Sequence, residues 1–236
     1  MNKIQKVIIL LALFFSCAQT FTQEISKLNL TDLPSLPAKE KALKSLGFAG
    51  MLGGFHNEVY LVAGGANFPE GLPWQGGKKV WTKDIYIFEN NKWRLSSTKL
   101  TQSLGYSASV QTENGILVIG GNNETTTTNK VFLLSYNKKN REVQIIEYPN
   151  LPESLAFSSA EIFDDFVYLI GGYNGKQSTN SFYRLNLKDQ NKWEKLPDFP
   201  GLPRSLHTTA IQETQTTKKL FVIGGRSEAS GQKSKA

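Results

Sequence analysis

The chain has 236 residues, of which 39% are hydrophobic and 20% are charged, a balance that predicts a folded globular protein and excludes a disordered or membrane-embedded chain. Its formal net charge of +7 is spread along the sequence without long runs of like charge, so we expect no nucleic-acid partner. One cysteine and two histidines exclude a disulfide framework, and they leave so few ligands that we expect no metal site.

Residues 1–18 predict an export signal. Two lysines precede an apolar run at 7–15, which is shorter than the roughly 20 residues of a membrane-spanning helix. Small residues around Cys17 favour cleavage after Ala18, which predicts a periplasmic protein with no membrane span after cleavage. Cleavage before Cys17, leaving a lipid-anchored protein, is the alternative.

A repeat of about fifty residues organises the rest of the chain. An apolar strand ending in Gly-Gly occurs four times, at 59–65, 116–121, 167–172 and 220–225. A strand of small and apolar residues is expected before each pair, at 48–52, 106–110, 157–162 and 206–211. An alternating strand follows three of the pairs. Four antiparallel strands at this period, with abundant glycine and aromatic residues, predict the blades of an all-β propeller.

The Gly-Gly pairs, the alternating aromatic strands and the Trp-x-x-Leu-Pro ending at 193–197 resemble Kelch repeats. We expect the glycines to shape the turn after the second strand, where a side chain would obstruct the backbone. Trp93 and Trp193 fall at the same blade position, so we expect them to pack between blades and not to bind sugar.

The N-terminal segment looks like the end of a blade. Residues 25–37 resemble 192–203, which is a fourth strand with its linker, and in propellers such a strand commonly completes the last blade. The last Gly-Gly pair is followed by no recognisable third strand. We therefore expect about three and a half blades of a larger ring. The expected organisation is a signal at 1–18, a closing strand and linker at 19–45, and propeller blades over 46–236, divided as 46–99, 100–152, 153–200 and an incomplete 201–236.

The longest insertion between strands lies at 63–86. Together with Gly-Phe-Ala-Gly at 47–50 and Pro-Gly-Leu-Pro-Arg at 200–204, it is similar to the cyclically permuted branch of the N-acetylneuraminate epimerase, or sialic acid mutarotase, family. The resemblance implies a fragment of a six-bladed periplasmic propeller that interconverts the α and β anomers of N-acetylneuraminate or a related sugar acid. The alternative is a non-catalytic Kelch module that binds glycan or protein at the cell envelope.

Mutarotation opens a hemiketal ring and closes it on the other face. One group must remove the proton of the anomeric hydroxyl and another must protonate the ring oxygen, so the reaction needs no cofactor. The carboxylate of a sugar-acid substrate also needs a cation for binding, preferably arginine.

Turns after the second strands and linkers into the first strands should share one face around the propeller axis. The residues expected to bind substrate on that face are Asn67, Phe68, Trp74, Lys78, Lys79, Asn122, Arg204 and Arg226. Several have a structural alternative: solvated charges for the two lysines, a plug between loop and blade for Trp74, and a salt bridge or carbonyl contact for Arg204.

Glu124 is the candidate for a catalytic acid because it closely follows a Gly-Gly pair. The family's presumed acid/base pair is a glutamate with an arginine six positions on, whereas Glu124 is followed at that distance by Lys130. The resemblance therefore places the pair in blades beyond this sequence and leaves the activity of the chain uncertain.

Overall fold

The computed structural model describes residues 30–38, 45–189, 191–214 and 216–227. The expected signal at 1–18, including Cys17, and the closing strand before residue 30 lie outside these residues. The chain divides into two compact units, Met1–Leu33 and Pro34–Ala236. In the first unit, residues 30–33 are exposed and carry no regular secondary structure. No helix among the described residues is long and apolar enough to cross a membrane.

The described residues of the second unit form strands and one short 3-10 helix at Pro73–Gln75. In chain order the strands are β1 (Leu52–His56), β2 (Val59–Ala63), β3 (Ala66–Asn67), β4 (Val80–Trp81), β5 (Ile85–Glu89), β6 (Lys92–Leu95), β7 (Ala108–Thr112), β8 (Gly115–Ile119), β9 (Val131–Asn137), β10 (Glu142–Tyr148), β11 (Ser159–Phe163), β12 (Phe166–Tyr173), β13 (Ser178–Asn186), β14 (Glu194–Leu196), β15 (Ser205–Glu213) and β16 (Lys218–Arg226).

The strands form four antiparallel sheets that follow one another along the chain. Sheet 1 has the order β1-β2-β5-β6, sheet 2 the order β7-β8-β9-β10 and sheet 3 the order β11-β12-β13-β14. Sheet 4 consists of β15 and β16, and β3 and β4 pair as a separate ribbon. Three four-stranded sheets followed by a two-stranded one confirm the expected three and a half blades.

In sheets 1 to 3 the first strand begins later than the sequence predicts. β1 starts at Leu52, and not at residue 48, because Gly50 has a left-handed φ of 66° that interrupts the extended backbone. Tyr106 and Phe157, with φ values of 56° and 57°, interrupt the chain at the corresponding places in sheets 2 and 3.

Apolar side chains fill the spaces between sheets 1 and 2 and between sheets 2 and 3. The first space is lined by fully buried residues from both sheets, such as Leu61, Ile87 and Ile116. The second is lined by residues such as Leu117 and Leu169. Each such side chain contributes about 1.5–3 kcal/mol on burial. The strands β1, β7, β11 and β15 contact one another in succession, which makes them the innermost strands of the propeller.

The Gly-Gly pairs of sheets 1 to 3 connect each of these sheets to the linker that enters the next one. The amide of Gly65 donates to the carbonyl of Leu104 at 2.7 Å, and the amide of Gly121 donates to the carbonyl of Leu155 at the same distance. A Cβ atom on Gly64 would lie 2.2 Å from the Leu104 oxygen. The pairs therefore shape the chain at sheet junctions, which is the structural role that the repeats predict.

The two repeated tryptophans make equivalent contacts. The indole nitrogen of Trp93 donates to the carbonyl of Pro34 at 2.8 Å, and that of Trp193 donates to the carbonyl of Pro149 at 2.9 Å. Trp193 is buried in the core between sheets 2 and 3. Both side chains therefore hold a sheet against a neighbouring linker. Only Trp193 belongs to the core between sheets, whereas Trp93 is half-buried and packs on Tyr60 and Phe88 of its own sheet.

Candidate functional site

A row of left-handed residues lies where the innermost strands begin. It consists of Gly50, Tyr106, Phe157 and Leu206, with φ values between 56° and 66°, and is called the inner rim below. Hydrogen bonds run from Tyr106 N to Gly50 O at 2.8 Å, from Phe157 N to Tyr106 O at 2.9 Å, and from Leu206 N to Phe157 O at 2.9 Å. These bonds link all four sheets and make the rim a rigid support for side chains.

The residue after each Gly-Gly pair lies beside the inner rim. Asn122 pairs with Gly105 in an isolated bridge, and Arg226 pairs with Ser205 in sheet 4. Each of these partners directly precedes a rim residue in the sequence. The fold therefore places Asn122 and Arg226 on the face that the repeat pattern assigns to them.

The long insertion forms an ordered ribbon next to this face. Asn67, in β3, donates through its side-chain amide to the carbonyl of Gly47 at 2.9 Å. Phe68 is half-buried, whereas Lys78 is exposed. Trp74 lies in the 3-10 helix with 79% of its surface exposed, so it does not plug the loop against the blade.

Lys79 is the charged group of the insertion that reaches the inner rim. Its Nζ donates to the hydroxyl of Tyr106 at 2.5 Å. The same nitrogen lies 4.3 Å from the centroid of the Tyr106 ring and 4.9 Å from that of Trp81. The Tyr106 ring in turn packs against Phe157, with centroids 4.8 Å apart. Cation–π contacts and one hydrogen bond thus hold the ammonium group in a fixed place.

This ammonium group has no counter-ion within the described part of the chain. The ion pairs formed there use other basic residues, and none includes Lys79. Aromatic rings and a hydroxyl stabilise a half-buried positive charge only in part, because none of them carries a negative charge. An anion of suitable size would therefore bind here favourably.

Two buried polar atoms beside the inner rim lack hydrogen-bond partners among the described residues. They are the indole nitrogen of Trp81 and the side-chain oxygen of Asn122. The Trp81 ring is close to Gly105, where an added Cβ atom would lie 3.4 Å from Cδ1, and Gly105 pairs with Asn122. One donor and one acceptor beside the inner rim are left for a bridging water or a ligand group.

Arg204 contacts a backbone carbonyl, which is the structural role that the sequence allowed as an alternative to substrate binding. Its Nη1 donates to the carbonyl of Gly224, the first glycine of the last pair, at 3.0 Å. In sheets 2 and 3 the corresponding glycine carbonyl accepts a hydrogen bond from Ser107 and Ser158, each at 2.8 Å. Arg204 therefore takes over a role that serine has in the other sheets.

Glu124 lies at the tip of an exposed turn. The side-chain oxygen of Asn123 accepts hydrogen bonds from the amides of Thr125 and Thr126, at 3.0 and 2.9 Å, and so fixes the backbone of this turn. The Glu124 carboxylate makes no hydrogen bond or ion pair to another described residue. Its position is therefore poorly defined for proton transfer.

Tyr106 and Trp81 were not predicted as site residues from the sequence. Tyr106 lies in a segment that was expected to be a plain strand of small residues, and Trp81 lies at the end of the insertion. The sequence did contain a signal for Tyr106: positions 106 and 157 both carry an aromatic residue just before a strand of small residues.

Comparisons with known proteins agree with this architecture. A family model described as N-acetylneuraminate epimerase matches residues 15–143, and a Kelch motif matches residues 154–200. The solved structure of YjhT superposes with a TM-score of 0.55 at 13% identity, covering 69% of this chain and 56% of that one. At this identity the likeness concerns the fold alone.

Two curated relatives are both named N-acetylneuraminate epimerase. The protein of Haemophilus influenzae (strain PittEE) is 36% identical over 126 residues, which are 49% of this chain and 32% of the relative. The protein of Yersinia enterocolitica serotype O:8 / biotype 1B (strain NCTC 13174 / 8081) is 33% identical over 121 residues, which are 47% of this chain and 31% of the relative. The matched part of this chain therefore corresponds to about a third of each relative's length.

The sheets, the Gly-Gly junctions and the repeated tryptophans define a Kelch-type β-propeller. Because the epimerase family model covers more than half of the sequence, the chain belongs to the N-acetylneuraminate epimerase family, a family of isomerases.

Proposed function

We propose that the protein is an exported mutarotase that interconverts the α and β anomers of N-acetylneuraminate or a related sugar acid. The observation that carries this proposal is the family match over residues 15–143, which includes the whole insertion and the inner-rim residue Tyr106. A periplasmic location, with a lipid anchor on Cys17 as the alternative, is part of the proposal and rests on the sequence of residues 1–18.

Lys79 is the proposed anchor for the substrate carboxylate. Its ammonium group is held between two aromatic rings and has no counter-ion among the described residues, so a bound carboxylate would complete an ion pair there. The remaining proposed substrate contacts lie in the insertion and beside the rim, at Asn67, Phe68, Trp74, Lys78, Asn122, Arg204 and Arg226.

Proton NMR exchange spectroscopy on free N-acetylneuraminate tests the reaction directly. We expect a longer protein that carries this segment together with the family's acid/base pair to accelerate exchange between the two anomers, and we expect the 236-residue chain, in which that pair has no match, to accelerate it little or not at all. Lys79→Ala should raise KM about tenfold or more, because a hydrogen bond to a charged group contributes about 1.5–3 kcal/mol. Lys78→Ala removes an exposed charge and should change KM less. A longer protein with the acid/base pair that leaves the exchange rate unchanged would overturn the proposed reaction.

A binding module without catalysis is the second candidate function. It is favoured by the exposed position of Glu124, which leaves the one acid proposed from sequence poorly placed for proton transfer. Saturation-transfer NMR separates the two functions, because a binding module would show contact with the sugar acid while the anomers exchange at the spontaneous rate.

A further inference from the structure

We propose that Asn114 is a site of spontaneous covalent modification, at which the side-chain amide is converted to isoaspartate and aspartate. This inference is independent of the proposed function. The sequence contains Asn-Gly twice, at 114–115 and 174–175, and glycine leaves the backbone nitrogen after the asparagine without a shielding side chain. The two pairs have different surroundings in the structure, and that difference carries the proposal.

The side chain of Asn114 is unrestrained. Asn114 lies in the exposed turn between β7 and β8. Its backbone amide donates to Thr112 Oγ1 at 3.2 Å, whereas its side-chain amide makes no hydrogen bond to another described residue. The side chain can therefore rotate and bring its carbonyl carbon toward the backbone nitrogen of Gly115 without losing an interaction.

The side chain of Asn174, in the second Asn-Gly pair, is held in place. Its Oδ1 accepts hydrogen bonds from the backbone amides of Lys176 and Gln177, each at 3.0 Å. Attack by the Gly175 nitrogen on this side chain would require both hydrogen bonds to break. We therefore expect the reaction at Asn174 to be at least about tenfold slower than the reaction at Asn114.

The reaction needs water and no enzyme. The backbone nitrogen of Gly115 attacks the side-chain carbonyl carbon of Asn114, and the amide nitrogen leaves as ammonia with the proton that the Gly115 nitrogen loses. The product is a cyclic succinimide. Addition of water at its side-chain carbonyl gives aspartate, whereas addition of water at its backbone carbonyl gives isoaspartate, in which the main chain runs through the former side chain.

The fold requires the glycine that makes this site reactive. Gly115 has a left-handed φ of 146°, and a Cβ atom there would lie 2.3 Å from the carbonyl oxygen of Leu134 in β9. By contrast, a Cβ atom on Gly175 would have no atom closer than 3.6 Å. The Asn-Gly pair at 114–115 is therefore tied to the close approach of β8 to β9, and replacing its glycine would disturb the sheet.

Modification of Asn114 should weaken the contact between sheets 1 and 2. The adjoining strand β7 lies against β1, where the amide of Phe55 donates to Gln111 Oε1 at 3.1 Å. Isoaspartate lengthens the main chain of the turn by one carbon atom, and both products add a negative charge. Because the length of a hairpin turn fixes the register of its strands, we expect the pairing of β7 with β8 to be disturbed next to this contact.

Peptide mapping by tandem mass spectrometry, after incubation of the 236-residue chain at mildly alkaline pH, measures the modification at both sites. We expect conversion at Asn114 to be at least about tenfold faster than at Asn174. In urea both Asn-Gly pairs are unfolded, and they should then react at similar rates. An Asn114 that stays unmodified in the folded chain, or a ratio of rates that is the same in urea, overturns the inference.

Asn114→Gln is the matched variant. Glutamine keeps the amide, but its longer side chain would have to close a larger and less favourable ring. After incubation we expect a lower thermal midpoint for the wild type and an unchanged midpoint for Asn114→Gln. Equal loss of thermal stability in the two proteins would contradict the effect assigned to Asn114.

Discussion

At the scale of single residues, His207 differs from its counterparts in the other sheets. Ser107 and Ser158 occupy the same position in sheets 2 and 3, where each donates to a glycine carbonyl of its own sheet. His207 is only 8% exposed, and its ring is 6.4 Å from that of Phe199. Burial lowers the pKa of His207, and the positive charge of Arg204 lowers it further. These effects outweigh a backbone contact with Ile170, which raises the pKa. The buried ring is therefore held in its neutral form.

This burial predicts acid-sensitive stability. Because the pKa of His207 is lower in the folded chain than the unfolded value of about 6.5, its contribution is present above that pH and is lost as the pH falls below it. We expect the thermal midpoint to decrease between about pH 7.5 and pH 5. His207→Ser, which restores the residue of sheets 2 and 3, should weaken this decrease.

The second histidine, His56, also contributes to the pH dependence of stability. His56 accepts a hydrogen bond from the amide of Tyr136 through Nδ1 at 2.9 Å, and burial lowers its pKa as well. Part of the pH dependence should therefore remain in His207→Ser. Thermal unfolding that shows the same pH dependence in the wild type and in this variant would contradict the assignment to His207.

At the scale of structural elements, the Gly-Gly junction can be tested with a matched pair of substitutions. Gly64 and Gly224 are the first glycines of their pairs and have similar φ values, 65° and 69°. A Cβ atom on Gly64 would lie 2.2 Å from the Leu104 oxygen, whereas one on Gly224 has no atom within 4 Å. Alanine therefore introduces the same backbone strain at both sites and a steric clash at only one of them.

We expect Gly224→Ala to cost about 1–2 kcal/mol, the strain of a left-handed residue with a side chain. Gly64→Ala should cost a further 1–3 kcal/mol or so, because the clash is with backbone that cannot rotate away. Urea unfolding followed by far-ultraviolet circular dichroism measures both. Equal destabilisation by the two substitutions would show that the close approach of Gly64 to the Leu104 carbonyl does not affect the stability of the junction.

The sheets were predictable from sequence because each depends on local signals. Apolar alternation and Gly-Gly pairs recur at a fixed spacing, and these gave the three four-stranded sheets and the two-stranded fourth. The starts of the first strands were not predictable, since left-handed backbone at Tyr106 and Phe157 has no sequence signature comparable to glycine.

The core of the candidate site could be predicted only in part. Lys79 was predicted as a site residue because a long insertion on a rigid scaffold suggests function. Its contact with Tyr106 joins residues 27 positions apart, on an insertion of sheet 1 and at the start of sheet 2. Such a contact depends on the angle between two sheets, and no local pattern of residues encodes that angle.

At the scale of the whole molecule, the fourth sheet leaves an apolar face exposed. Phe221 and Ile223 are 40% and 53% exposed. They stand three and one residues before a Gly-Gly pair, as Leu117 and Ile119 do in sheet 2, where these side chains are buried against sheet 3. The side chains at these positions are therefore buried between sheets in sheet 2 and exposed to solvent on β16.

An exposed face of this kind favours association with another apolar surface. We expect the 236-residue chain to self-associate in solution, and we expect Phe221→Ser combined with Ile223→Ser to shift it toward the monomer. Ile146→Ser is the matched control, because this side chain is 45% exposed on the fourth strand of sheet 2 and lies outside the β16 face. Sedimentation velocity over a range of concentrations measures the distribution of species. A wild-type chain that sediments as a monomer at every concentration would show that this face does not drive association. The apolar area of Phe221 and Ile223 would then be too small to offset the entropy lost on binding.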